Sequence, residues 1–225
     1  MNRKFWALLV LPFFAIACGD DDDPETEMMA DGEDEFEVIT TLELTFALVS
    51  DPSDTTTITF EDADGDGGQS GTFSPSEINL AANESYALTM RLANVTSDEP
   101  DEPQEEVSEE DDEHQFFILG SNVRGPARDD ASAAIQHAYD DMDDNDLPVG
   151  FTNTITTGAA ATAGGFRVIL RHLPPVDGTA QKVAGLETVL FDATAEIDAS
   201  SDPTFEPAGF AGESDLDLTF TVGVE

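Results

Sequence analysis

Apolar and polar residues alternate along most of this chain with the two-residue period of a strand that buries one face and shows the other. Leu42, Leu44, Phe46 and Leu48 take turns with Thr41, Glu43, Thr45 and Ala47, which predicts a strand. Thr55 to Phe60 (TTTITF) is a second, rich in β-branched residues and ending in the turn-forming run EDADGDGGQSGT. In Ser85 to Ala93, Tyr86, Leu88, Met90 and Leu92 share one face, with Thr89 and Arg91 on the other. Further strands are expected at 116–119, 151–157 and 188–197, and in GFRVILRH, where Phe166, Val168 and Leu170 line one face. Residues 131–139 (ASAAIQHAY) fit a short helix by propensity or a strand by context, and 157–165 (TGAAATAGG) has the composition of a flexible loop. The sequence closes on LDLTFTVGV, whose Leu216, Leu218, Phe220, Val222 and Val224 alternate so regularly that pairing inside a sheet is implied.

Seven to nine short strands with turn residues between them and no long amphipathic helix predict an all-β protein: an antiparallel, Ig-like β-sandwich, with a closed barrel as the other architecture. A lipid-spanning barrel is set aside on the expectation that Glu43, Arg91, Arg167 and Arg171 point outward, where such a barrel needs apolar side chains. Two stretches interrupt the alternation. Residues 18–35, acidic and broken by Pro and Gly, are expected to be a disordered tether ahead of a single domain at 36–225. Residues 97–113 (SDEPDEPQEEVSEEDDE) are expected to form a mobile acidic insertion, because like charges along it oppose a helix.

The first residues carry a different signal. Arg3 and Lys4 precede an apolar run, Phe5 to Phe14, that is too short to span a bilayer, and Ala15-Ile16-Ala17 puts small residues before Cys18. This resembles the bacterial lipoprotein signal, with Ala15-Ile16-Ala17-Cys18 standing at the lipobox and mild departures at Ala15 and Ile16. The resemblance implies a cleaved signal peptide at 1–17, a Cys18 linked to diacylglycerol, and a lipid anchor at the outer membrane, on its periplasmic face or at the cell surface. The acidic run behind Cys18 is similar to the surface-export signal of Bacteroidota lipoproteins, though a solvated linker in an acidic chain has the same composition. ESYALTMRL, DEHQFFIL, DMDDNDLPVG, GFRVILRHLPP and the terminal Leu-Asp-Leu-Thr-Phe together resemble uncharacterised Bacteroidota lipoproteins with a β-sandwich body. That likeness implies an architecture and an address, and no activity.

Charge narrows the partners. The chain has 49 Asp and Glu against 8 Lys and Arg, a formal net charge of −41. Nucleic acid and anionic lipid headgroups would be repelled, so neither is expected as a ligand. Halophilic adaptation accounts for the imbalance, since at molar salt the Debye length shrinks to about 3 Å and self-repulsion is screened. A cation-binding role is compatible with it. Cys18 is the one cysteine, so once it carries lipid the chain has no thiol for a disulfide or a metal.

Three stretches carry candidate chemistry. Asp62, Asp64 and Asp66 have the alternate spacing that converges carboxylates on a hard cation, Gly67 allows the sharp turn, and Gly68 and Ser70 add oxygens; the run resembles half of a calcium loop. Phe73 stands where the bidentate Glu belongs, which excludes an EF-hand proper and leaves a calcium-binding hairpin turn completed by an acid such as Glu77, or an ordinary Asp-rich turn. Asp141, Asp143 and Asn145 repeat the spacing, but Asp146 replaces the glycine, and a plain loop is the better account. His114, at the end of the acidic run, and His172, in phase with Leu170, would bind Zn or Cu if the fold joined them, with the alternative that each is structural. No hydrolase, zinc-protease or nucleotide-binding motif is present, so the chain is expected to be no enzyme. The expected function is a lipid-anchored binding or accessory module of the cell envelope, with Ca²⁺ as its candidate ion and an envelope protein or a glycan as partner; the alternatives are a Zn- or Cu-binding lipoprotein and a hydrolase of unrecognised type.

Overall fold

A computed structural model describes residues 38–63, 65, 71–127, 131–187 and 212–225. In chain order the strands are β1 (Thr41–Leu48), β2 (Asp51–Glu61), β3 (Thr72–Ser74), β4 (Ile78–Leu80) and β5 (Ser85–Ala93). The helix α1 (Glu102–Glu109) precedes β6 (His114–Leu119), β7 (Val123–Arg124), β8 (Ile135–Tyr139), β9 (Thr152–Thr157), β10 (Ala161–His172) and β11 (Glu213–Val224). They form two sheets packed face to face, an all-β sandwich. One has seven strands in the order β3-β2-β1-β5-β9-β8-β7 and the other has four, β4-β11-β10-β6.

Alternation sets the core. In the large sheet Leu44 lies between Ile58 and Met90, and Phe46 between Thr56 and Leu88, so a rank of apolar side chains crosses β2, β1 and β5. Thr45 lies between Thr57 and Thr89 on the solvent side, its hydroxyl 3.1 Å from that of Thr57. The small sheet answers with Phe166, Val168 and Leu170 from β10 and Leu216, Leu218 and Phe220 from β11, all buried. Phe46 and Phe166 meet edge to face across the sandwich at 5.9 Å, a favourable geometry for aromatic rings. Burying this interleaved layer is the main stabilising term, since apolar area removed from water contributes about 25 cal/mol per Å².

The structure departs from the sequence expectations in several places. Most pairings are antiparallel as expected, but β4 with β11 and β7 with β8 are parallel. Residues 131–139 resolve to strand at β8, and β10 begins at Ala161, inside the expected loop, because its small residues pair with Val222 and Val224. Arg167 and Arg171 do not face solvent: both are about 2 % exposed. They share the outer side of the small sheet with buried Phe117 and Ile169, so every residue of β6 is buried and the sheet is covered on both faces where β6 pairs with β10. Arg167 forms an ion pair with Asp217, and Arg171 donates to Ser214 Oγ at 3.0 Å and to the Gly212 carbonyl.

The acidic run 97–113, expected as a mobile insertion, contains α1 docked on the sandwich. Val107 and Pro103, one turn apart, are buried, and Gln104 Oε1 accepts from the Leu92 amide at 2.9 Å. Glu102 and Glu105 occupy the first turn, where the helix dipole favours negative charge, and Arg91 pairs with Asp101 at the N-cap. One apolar contact line and these local offsets outweigh the like-charge repulsion. The signal peptide, Cys18, the tether and the strand expected at 188–197 lie outside the described residues. No helix among the described residues is long and apolar enough to cross a membrane.

Candidate metal centre

β6 and β10 run antiparallel in a register that sets His114 opposite His172. Both continue the inward-facing rows, His114 that of Phe116 and His172 that of Leu170, so the imidazoles meet at one end of the inter-sheet core. Their rings stack with centroids 4.5 Å apart and planes 6° from parallel. The C-cap of α1 adds Glu110, and one donor atom from each of Glu110, His114 and His172 lies within 4.8 Å of the other two. His114 is fully buried, whereas the His172 side chain keeps 14 % of its surface exposed.

The tautomer of His114 follows from its neighbour. Its Nδ1 is 3.1 Å from the Glu110 carbonyl oxygen, which can only accept, so Nδ1 carries the proton and donates. In the neutral ring the lone pair is then on Nε2, the arrangement in which imidazoles commonly ligate metals. Nε2 faces the buried carboxylate of Asp215, 3.8 Å from its Oδ2. On the other ring, His172 Nε2 lies 3.7 Å from Glu113 Oε2. Burial, then the Glu110 and Asp112 charges, push the Glu113 carboxyl above its ordinary pKa.

Distances set what this cluster can do. Zinc–ligand bonds of about 2.0–2.1 Å place donors of a tetrahedral ion about 3.3 Å apart. The cluster is therefore slightly open. Near-parallel rings also aim their in-plane lone pairs side by side instead of at one point, so both imidazoles share an ion only after one ring turns. His172, with solvent beside it, is the ring free to do so. Along α1, an acidic groove of about 600 Å³ is lined from Glu99 to Glu110, so Glu110 belongs to both groove and cluster.

The other sequence candidates fare differently. Asp62 is buried and its Oδ1 accepts from the Gly65 amide at 3.2 Å, the bond of an Asp closing its own turn. Asp64, Asp66, Gly68 and Ser70 lie outside the described residues. Phe73 packs between Phe60 and Phe220 in the core, at ring distances of 5.3 and 5.1 Å. In the second acidic turn, Asp141 accepts from the amides of Gly150 and Thr152, and Asp143 from those of Asn145 and Leu147, which makes it a hydrogen-bonded structural turn. Asp143 also pairs with Lys182, Nζ to Oδ2 at 2.9 Å, both side chains fully buried. Burial pushes the Asp143 carboxyl up, but the Leu147 amide, Lys182 and the Asn145 amide together outweigh it and hold the group below its ordinary pKa. His137 is remote from the cluster in function: its Nε2 donates to Asn153 Oδ1 at 2.9 Å, and burial lowers its pKa to about 4.

Sequence reasoning paired His114 with His172 and missed Glu110 and Asp215. Neither carried a signal, since each is one of 49 acids. What distinguishes them is position: Glu110 at a helix end not expected to form, and Asp215 beside the bulge in the β10–β11 pairing at Leu170/Arg171. Fold and cluster together define a β-sandwich carrying a histidine–carboxylate group at one end. No protein-family model, no curated protein and no solved structure matches this chain.

Proposed function

We propose that this chain is a lipid-anchored protein of the outer membrane, held through Cys18, whose sandwich is a non-enzymatic module that binds a transition-metal ion at Glu110, His114 and His172. The observation that carries the reading is the cross-strand pairing of the two histidines with a carboxylate in reach. Imidazole nitrogen suits Zn²⁺, Cu²⁺ and Ni²⁺ far better than Ca²⁺, which takes oxygen almost exclusively. The groove along α1 supports it too, because a cleft lined by one sign of charge raises the local concentration of cations. Partners on the envelope, protein or glycan, fit the address and nothing finer.

Calorimetric titration of the purified protein with Zn²⁺ and Cu²⁺ tests the site. Binding is expected in the wild type and should weaken about tenfold or more in His172→Ala, with Ca²⁺ giving no competing heat. Absence of binding, or equal binding in the variant, rejects it. The anchor has its own test: Cys18→Ser should move the protein from the membrane fraction to the soluble one.

A further inference from the structure

Lys182 lies in the segment after β10, and Asp143 in the turn between β8 and β9. Their side chains are fully enclosed, with Nζ 2.9 Å from Oδ2. Nζ also donates to the Asp111 carbonyl oxygen at 2.6 Å, which fixes its position. Although Nζ is this close, Oδ2 has no hydrogen-bond partner of good geometry among the described residues. The amine therefore sits beside the carboxyl group, out of line for an ordinary charge-assisted bond. Oδ1, by contrast, accepts two backbone bonds, from Asn145 N at 2.8 Å and Leu147 N at 2.9 Å.

From this arrangement we infer that Lys182 and Asp143 condense into an intramolecular amide, a covalent cross-link between the β8–β9 turn and the segment that follows β10. The ion pair first shares out its charge: the ammonium gives one proton to Oδ2, leaving a neutral amine and a neutral carboxylic acid. That transfer runs uphill, because the Leu147 and Asn145 amides and Lys182 hold the Asp143 carboxyl below its ordinary pKa against the effect of burial, so it sets the rate of the condensation. Nζ then attacks Cγ, and the oxyanion that develops on Oδ1 falls between the Asn145 and Leu147 amides, at the distances an oxyanion hole uses. A second proton passes from Nζ to Oδ2, the Cγ–Oδ2 bond breaks and one water leaves. The amide keeps the third proton, so atoms and charge balance with no oxidant or co-reactant. Fixed juxtaposition replaces activation, since well-oriented intramolecular pairs reach effective molarities of about 10⁵–10⁸ M. The link is independent of any metal, and it would serve an exported body in which no cysteine follows Cys18.

Peptide mapping by tandem mass spectrometry decides the matter on the full-length protein, with folding checked by circular dichroism. The expected product is a branched peptide joining the Asp143 and Lys182 segments at the sum of their masses less one water, with loss of tryptic cleavage after Lys182. Lys182→Arg, which keeps the charge pair, and Asp143→Ala should both restore linear peptides only. A folded wild type that yields the two segments as separate, linear peptides overturns the inference and leaves an ordinary buried ion pair.

Discussion

A buried histidine makes the residue-level behaviour testable. His137 donates through Nε2 to Asn153, whose own amide donates to the Gly150 carbonyl; that bond favours the charged ring, but burial outweighs it and holds His137 neutral in the fold. Its pKa of about 4 lies below the unfolded value of 6.5. Between those values the unfolded chain binds the proton and the native one does not, so stability is complete above pH 6.5 and falls as the pH drops toward 4. The loss should reach about 3 kcal/mol. Urea midpoints across that range check it: His137→Gln, which keeps a donor to Asn153, should flatten the part of the curve that the carboxylates do not explain. At the histidine–carboxylate cluster, Asp215→Asn should weaken the proposed Zn²⁺ binding about 10- to 100-fold, the usual effect of removing a carboxylate that orients or joins a ligand set; unchanged titration heats would show that Asp215 takes no part. The two histidines were legible in the sequence as a conditional pair, because the phase of His172 with Leu170 could be counted. Their acidic partners were not. In a chain this rich in carboxylates, only a register, a bulge and a helix end single out Glu110 and Asp215.

At the scale of elements, the strands that were legible are those whose alternation is driven by one buried and one wet face, such as β1, β5 and β11. The small sheet violates that premise. With β6 buried on both sides, HQFFIL shows no period, and the arginines of β10 looked like solvent positions although they lie under cover. Parallel pairing of the short β4 and β7 was equally invisible, since a strand of two or three residues has no pattern of its own. The helix α1 was hidden by its charge, yet Val107 is completely buried against the sandwich. Truncating it isolates the docking term: Val107→Ala should destabilise the protein by about 1–3 kcal/mol, whereas the exposed neighbour Ser108→Ala should change stability by less than about 0.5 kcal/mol. Equal effects in chemical denaturation would mean that the helix owes its place to something other than that contact. Glycine marks one junction in the same small sheet. Gly120, at φ +133°, follows β6 where an added Cβ would come within 2.2 Å of the Gly165 carbonyl oxygen, so alanine there should separate β6 from β10 and disturb the cluster at the other end of the pair.

For the molecule as a whole, the distribution of its few cations matters more than their number. Arg167, Arg171 and Lys182 are buried, so they do not offset the carboxylates at the surface of the described residues. A net charge of −41 is therefore felt mainly as repulsion between exposed carboxylates, and the unfolded chain, being larger, relieves it. Screening by salt should then stabilise the fold. As ionic strength rises from 0.1 to 1 M the Debye length drops from about 10 to 3 Å, shorter than most separations between surface charges, and further salt has little repulsion left to remove. Thermal midpoints followed by circular dichroism are expected to climb steeply with NaCl up to about 1 M and then flatten. Replacing Glu102 and Glu105 by lysine would reduce the slope, because both line the acidic groove along α1. An excluded-solute effect would behave otherwise, growing in proportion to concentration and indifferent to the lysines. A midpoint that rises linearly past 1 M, or that ignores the two substitutions, would assign the salt response to solvent exclusion, and repulsion within the acidic surface would then have no part in limiting the stability of the sandwich.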